Sequence, residues 1–110
     1  MDGNRNLGLG ELRQLTPQEL RQILQLHELY LAREAAGRRA VLAYYDLSSA
    51  DLSDHDLTGA DLTGARLHRA ILKNTVLREA KLSTADLRAA NLNGADLTGA
   101  DLRSSCLRGA

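Results

Sequence analysis

The chain has no phenylalanine and no tryptophan, and its 110 residues include only three tyrosines, one methionine and one cysteine. With so few large aromatic side chains, an ordinary globular core is not expected. The single cysteine, Cys106, excludes a disulfide within the chain and fits a reducing compartment. No apolar run approaches the ~20 residues of a membrane-spanning helix, and the polar N-terminus is unlike a signal peptide. We therefore expect a cytoplasmic protein without a membrane partner.

What the chain has in abundance is leucine at a fixed spacing. Leucine occupies every fifth position from Leu42 to Leu107, fourteen times without interruption. On an α-helix five residues advance by about 140°, so these leucines would share no face, and on a flat strand they would alternate sides. A chain that turns one corner every five residues keeps them all inside, and repeated corners stack into coils. The spacing therefore predicts an all-β solenoid filled by leucine.

The other positions of the five-residue repeat fit the same corner. The residue two positions before each leucine is usually small, most often alanine, and aspartate or asparagine usually stands directly before the leucine. Aspartate accepts hydrogen bonds from nearby backbone in turns, and the glycines two positions after leucine suit a positive φ. Because the aspartates recur at one place in the repeat, we interpret them as turn-forming residues. The sequence predicts no catalytic group, no cofactor and no metal site.

This pattern, clearest in ADLTG at 60–64 and 95–99 and in ANLNG at 90–94, resembles the pentapeptide-repeat family, whose repeat is Ala-(Asp/Asn)-Leu-x-x. The resemblance covers residues 40–110. It implies a right-handed quadrilateral β-helix with one repeat on each of the four sides of a coil. At about 4.8 Å per coil, about three and a half coils would form a tower ~15 Å tall.

An α-helix is predicted before the repeats. Thr16 can cap it, Pro17 suits its first position, and Glu19 completes a capping box. Apolar residues then follow helical spacing, with His27 among them as a packed residue, and Gly37 predicts the end of the helix.

The chain is thus expected to have a flexible N-terminus at 1–15, a helix at 16–37 and a β-helix domain at 40–110. We expect the helix to cap the first coil, since uncovered leucines and strand edges invite aggregation. Tyr45 and His55 fill small-residue positions in that coil, where bulk is tolerable only if it tilts towards the cap.

Two outward surfaces are candidate interaction sites. With four repeats per coil, residues twenty apart stack, and the most basic face displays Arg66, His68, Arg69, Arg88 and Arg108. This face would bind an acidic partner or a phosphate-rich surface, or else it is an ordinary solvated face. The second candidate is Ile71 with Val76, two apolar residues at the usual aspartate position on adjacent faces.

The leading functional hypothesis is a non-enzymatic bacterial scaffold or protein–protein interaction module, whose protein partner the sequence does not identify. The uncovered C-terminal coil predicts either a homodimer through that coil or a longer repeat protein. The alternative is a targeting or accessory domain of an enzyme that lies outside this chain.

DNA-related roles are disfavoured. Relatives in the resembled family imitate B-DNA, bind DNA gyrase and give quinolone resistance through a strongly acidic surface. Here residues 42–110 carry nine acidic and eight basic side chains, and a ~15 Å tower is short beside the ~34 Å of one DNA turn. Direct nucleic-acid binding is also disfavoured, because the basic face has no aromatic side chains on which bases would stack.

Overall fold

The structure is a computed structural model that describes residues 12–110. It begins with a short strand, β1 (Arg13–Gln14), followed by the helix α1 (Pro17–Leu31) and a second short strand, β2 (Tyr45–Asp46). The rest of the chain is built from five-residue turns joined by single parallel bridges.

The repeats form coils of twenty residues. Val41 pairs in parallel with Asp61, and the same offset recurs along the chain as far as the pair of Asp86 with Cys106. Backbone hydrogen bonds follow this offset: the Leu42 N–H donates to the carbonyl of Asp61 at 2.7 Å. Residues twenty apart therefore stack in a column, in which neighbouring residues are about 4.8 Å apart. Because twenty residues are four repeats, each coil has four sides.

The repeat leucines form the core, as the sequence predicts. Every repeat leucine from Leu42 to Leu87 is at most 3% exposed, and the alanines at the second inward position over the same coils are buried beside them, except the half-buried Ala50. Thr75 occupies one of these alanine positions and is buried as well. Its hydroxyl donates to the carbonyl of Leu52 at 2.8 Å, so the polar group is satisfied inside the core.

Where aspartate or asparagine stands before the leucine, its side chain holds the corner. The carboxylate of Asp46 accepts a hydrogen bond from the Ser48 N–H at 3.0 Å, and Asn91 makes the same bond to Asn93 through its amide oxygen. The second residue after the leucine has a positive φ in every coil, whether it is glycine or a larger residue such as Glu79 (φ 59°). These bonds confirm the turn-forming interpretation of the aspartates.

The start of α1 agrees with the sequence, but its end does not. Thr16 Oγ1 accepts from the Glu19 N–H at 3.0 Å, and the Glu19 carboxylate accepts from the Thr16 N–H at 2.8 Å, which completes the capping box. The prediction that the helix continues to Gly37 is wrong, since it ends at Leu31 and Arg33 takes a φ of 63°.

The physical reason for the early end is that the chain must turn back to reach the first coil. The Arg38 N–H donates to the carbonyl of Leu26 at 2.9 Å, which a continuing helix would not allow. Gly37 has a different role from the one expected: a Cβ there would lie 2.2 Å from the Tyr30 nitrogen, so only glycine lets the returning chain pass so close to the helix.

The prediction of a flexible segment at 1–15 is wrong for its last part, and residues 1–11 lie outside the described residues. Arg13 pairs in parallel with Tyr45, and Gln14 with Asp46. The same register brings Leu15 to the level of Leu47, where it packs against the core. β1 therefore pairs with the first coil as a repeat of a preceding coil would.

The packed face of α1 lies against the first coil. Leu24 is 4% exposed and belongs to the same core cluster as the leucines of the coil. The bulky residues of that coil contact the N-terminal elements: the Arg13 guanidinium lies 5.8 Å from the centre of the Tyr45 ring, and His55 Nδ1 lies 4.0 Å from a Glu28 carboxylate oxygen. Both therefore lean towards α1 and β1, as expected.

Candidate interaction surfaces

The five basic residues singled out in the sequence lie on one side of the solenoid, which we call the arginine wall (residues 46–49, 66–69, 86–89 and 106–109). Bridges join Asp46 to Arg66, Arg66 to Asp86, and Asp86 to Cys106. Backbone hydrogen bonds link Arg69 to Arg88 at 3.0 Å, and Ala89 to Arg108 at 2.9 Å. The bridges fix this arrangement, because each of them repeats the same offset of twenty residues.

The arginine wall is less basic than its sequence suggests, because two arginines are paired with aspartates of the same wall. Arg88 Nε and one of its terminal nitrogens donate to the two carboxylate oxygens of Asp86 at 2.8 and 2.7 Å. The hydrogen bonds from Arg88 lower the pKa of Asp86 to about 2, so the pair stays charged over the whole neutral range. Arg66 lies 3.9 Å from Asp46.

Two arginines of the wall remain available for a partner. Among residues 12–110, neither Arg69 nor Arg108 forms an ion pair within 4.0 Å, and both side chains are exposed. His68 precedes Arg69 in the same coil and is half-buried. Because nothing in the described chain neutralises these two guanidinium groups, they supply the excess positive charge of the wall.

Ile71 and Val76 each stand in a column whose other residues are polar. Ile71 stands in a column between Asp51 and Asn91, and Val76 stands between two aspartates on the next wall. Ile71 is 38% exposed and Val76 is half-buried. Each apolar residue therefore has a polar neighbour in the coil before it and in the coil after it.

A more exposed apolar pair lies on the first coil. Val41 and Tyr44 are 54% and 56% exposed, and both belong to the corner around Leu42. The Tyr44 ring lies over Gly64, where a Cβ would come within 2.3 Å of the ring. The signal for this pair was present in the sequence, because valine replaces the usual aspartate and tyrosine takes a position that glycine often fills.

A groove of about 350 Å³ separates the beginning of α1 from the first coil. Leu20, Leu24 and Leu47 line its apolar floor, and charged residues such as Arg21 and Asp51 stand at its rim. No sequence signal marks this groove, because it exists only where α1 folds back over residues that follow it by more than twenty positions.

His27 joins α1 to the first coil through both of its ring nitrogens. Its side chain is buried; Nδ1 accepts a hydrogen bond from the Ala40 N–H at 2.9 Å, and Nε2 lies 3.0 Å from the carbonyl of Thr58. The ring also stacks on Tyr30, with 5.6 Å between the centroids. The expectation of a packed histidine is confirmed.

Other kinds of site find no support in the described part of the chain. Within residues 12–110, no three histidine, cysteine, aspartate or glutamate side chains are placed to hold a metal ion together. Cys106 is a free, partly exposed thiol. Over the same residues, no helix has the length and apolar character needed to cross a membrane.

The repeat geometry defines a solenoid of five-residue repeats, and comparison with known proteins names the family. The family model described as pentapeptide repeats matches residues 46–79 and 80–110, with eight copies. Together these ranges are more than half of the chain. The chain belongs to the pentapeptide-repeat family, whose members form right-handed quadrilateral β-helices.

Solved structures of the same kind are similar to the chain. A pentapeptide repeat protein from the thylakoid lumen of Arabidopsis thaliana is 32% identical, with a TM-score of 0.64 over 64% of this chain and 49% of that one. A pentapeptide repeat protein from the cyanobacterium Cyanothece is 33% identical, with a TM-score of 0.47 over 64% and 52% of the two chains. The chain spans about half the length of these two proteins.

A third structure, HetL from the cyanobacterium Nostoc, is a pentapeptide repeat protein involved in heterocyst differentiation regulation. It is 35% identical, with a TM-score of 0.37 over 71% of this chain and 40% of that one. No curated protein sequence matches the chain.

Proposed function

We propose that this chain is a non-catalytic interaction module: a right-handed four-sided β-helix of about three and a half coils at ~4.8 Å per coil, capped at its first coil by α1. Its function is to hold side chains in fixed columns against another protein. The stacked coils support this role, because their buried repeat leucines and regular bridges fix the spacing of outward side chains from one coil to the next.

The observation that carries the proposal is the pair of unneutralised arginines on the arginine wall. Arg88 and Arg66 lie within reach of aspartates on the same wall, whereas Arg69 and Arg108 have no ion pair within residues 12–110. No pair within residues 12–110 has to break before their guanidinium groups donate to carboxylates of a partner. We therefore propose an acidic protein segment as the partner.

The experiment is a titration of ¹⁵N-labelled protein with a glutamate-rich peptide at low salt, followed by amide chemical shifts. We expect shifts concentrated on the arginine wall that weaken at 0.5 M NaCl, because exposed charges are screened beyond roughly 10 Å already at 0.1 M salt. Arg69→Glu combined with Arg108→Glu should weaken binding at least about tenfold, since each reversal replaces an attraction with a repulsion.

Lys73→Glu is the matched control, because Lys73 is an exposed cation on a neighbouring wall of the same solenoid. It makes the same change in net charge as each arginine reversal. If Lys73→Glu weakened peptide binding as much as Arg69→Glu, binding would depend on net charge alone and the arginine wall would have no special role.

A further inference from the structure

The contact between His27 and the first coil depends on one protonation state of the ring. The Ala40 N–H can only donate, so Nδ1, at 2.9 Å, must carry a lone pair. Nε2 then carries the proton and donates to the carbonyl of Thr58 at 3.0 Å. The buried ring is therefore neutral, and a second proton would place an N–H group on Nδ1 directly against the N–H of Ala40.

The groups that face the ring come from every element packed around it. Burial is the largest influence and lowers the pKa of His27 from its ordinary 6.5; Arg39 acts in the same direction. The Thr58 carbonyl and the charge of Asp56 oppose it with smaller effects. On α1, Tyr30 stacks on the ring.

A second contact joins α1 to the same coil nearby. His55 of the first coil lies 4.0 Å from the Glu28 carboxylate of α1, and both side chains are partly exposed. Because solvent screens this exposed pair, it holds the helix less strongly than the buried hydrogen bonds of His27.

We infer that His27 is an acid-sensitive latch, which holds α1 on the first coil while its ring is neutral and releases the helix when the ring takes up a second proton. Release would uncover the apolar face of α1 around Leu24 and the first leucine layer beneath it. The coils further along would remain folded, because their ladder of backbone bonds does not include His27.

The direction of the pH effect follows from the shift. The pKa of His27 is lower while α1 is docked on the first coil than after the helix is released. Docking therefore does not depend on pH well above 6.5, and it weakens as the pH falls below that value. In the window between the free and the docked pKa, the docking equilibrium falls by up to about tenfold per pH unit. Below the docked pKa the loss is complete and changes no further. This inference does not depend on which partner the arginine wall binds.

The test is an NMR titration of the whole chain from pH 8 to pH 5, with imidazole nitrogens and backbone amides observed together. At pH 8 we expect His27 to be protonated on Nε2 alone. As the pH falls, the Ala40 amide and the amides of α1 should leave their docked positions with the midpoint of His27, which should lie below 6.5. The amides of residues 85–90 should not move with that midpoint.

The variant His27→Gln separates the ring's charge from its hydrogen bonds. A glutamine can accept from the Ala40 N–H and donate to Thr58 while it stays neutral at every pH, so α1 should stay docked throughout the titration. His68→Gln, which changes a histidine on the arginine wall, should leave the wild-type transition in place.

Three results would overturn the latch. They are a proton on Nδ1 at pH 8, an α1 that stays docked after His27 has gained its second proton, or the same transition in His27→Gln. The first two are measured on the wild-type chain, so the inference stays testable even if His27→Gln does not fold.

Discussion

The first and last coils have the same repeat sequence pattern but very different surroundings. In the first coil, the leucines from Leu42 to Leu57 are at most 3% exposed, because α1 and β1 lie on one side and the second coil on the other. In the last coil, Leu107 is 42% exposed and the leucines before it are half-buried. Within residues 12–110, that coil has a neighbour on one side only.

This difference shows that a leucine's place in the repeat does not by itself decide its burial; the neighbouring coils do. Each coil of a solenoid contacts only the coils next to it, so its stability depends on those contacts. Complete burial of a leucine is worth roughly 1.5–3 kcal/mol, and half-burial correspondingly less. We therefore expect the covered end and the middle to be rigid and the last coil to open first.

The largest expected effect compares a leucine of the middle with one of the last coil. Leu62→Ala should lower the free energy of unfolding by about 3–4 kcal/mol, because it leaves a cavity in a fully packed layer. Leu107→Ala should cost less than about 1 kcal/mol, since its side chain already contacts water. Urea unfolding followed by circular dichroism measures both, and equal losses would contradict a dependence on neighbouring coils.

The repeat domain and the start of α1 could be predicted from the sequence because each depends on local spacing. The leucine period and the aspartate turns follow from five-residue patterns, and the capping box at Thr16 is a four-residue motif. The strand β1 gives no such signal: Arg13-Gln14-Leu15 lacks the alanine and aspartate of a repeat, and its register appears only when it lies on residues that follow 32 positions later.

The sequence predicted which charged residues lie on the arginine wall, but not which of its arginines are neutralised by aspartates. The spacing placed Arg88 and Asp86 on the same wall, yet whether two side chains form a bidentate pair depends on their rotamers. The end of α1 was missed for a similar reason. The chain turns back after Leu31 because His27 and Leu26 bond to residues of the returning segment, and these are tertiary contacts.

A smaller effect is expected at the covered end. Thr16→Ala removes the hydroxyl that accepts the Glu19 N–H and should cost about 1 kcal/mol of stability. Because the loss is confined to the first turn of α1, hydrogen exchange should become faster in the helix and remain unchanged around Leu82. Thr98→Ala, at an exposed threonine of the last coil, serves as the control; faster exchange in α1 for that variant would contradict a local effect.

The smallest expected effect compares two adjacent alanines that occupy different places in the same corner. Ala89 has a φ of 59° and is exposed, so Ala89→Gly should raise stability by about 0.5 kcal/mol by relieving left-handed strain. Ala90 points into the core, so Ala90→Gly should lower stability by about 1 kcal/mol through lost packing and added chain freedom. Thermal unfolding measures both, and changes of the same sign would contradict the assigned corner.

The most direct test of the central claim, that each coil is fixed by the coils on both sides of it, is residue-resolved hydrogen exchange along one wall. The Leu62 N–H donates to the carbonyl of Lys81 at 2.7 Å, whereas the Leu102 N–H, on the same wall, has no backbone acceptor among residues 12–110. We predict slow exchange at Leu62, limited by unfolding of the middle coils, and exchange near the unprotected rate at Leu102. Equal protection at the two leucines would contradict the claim.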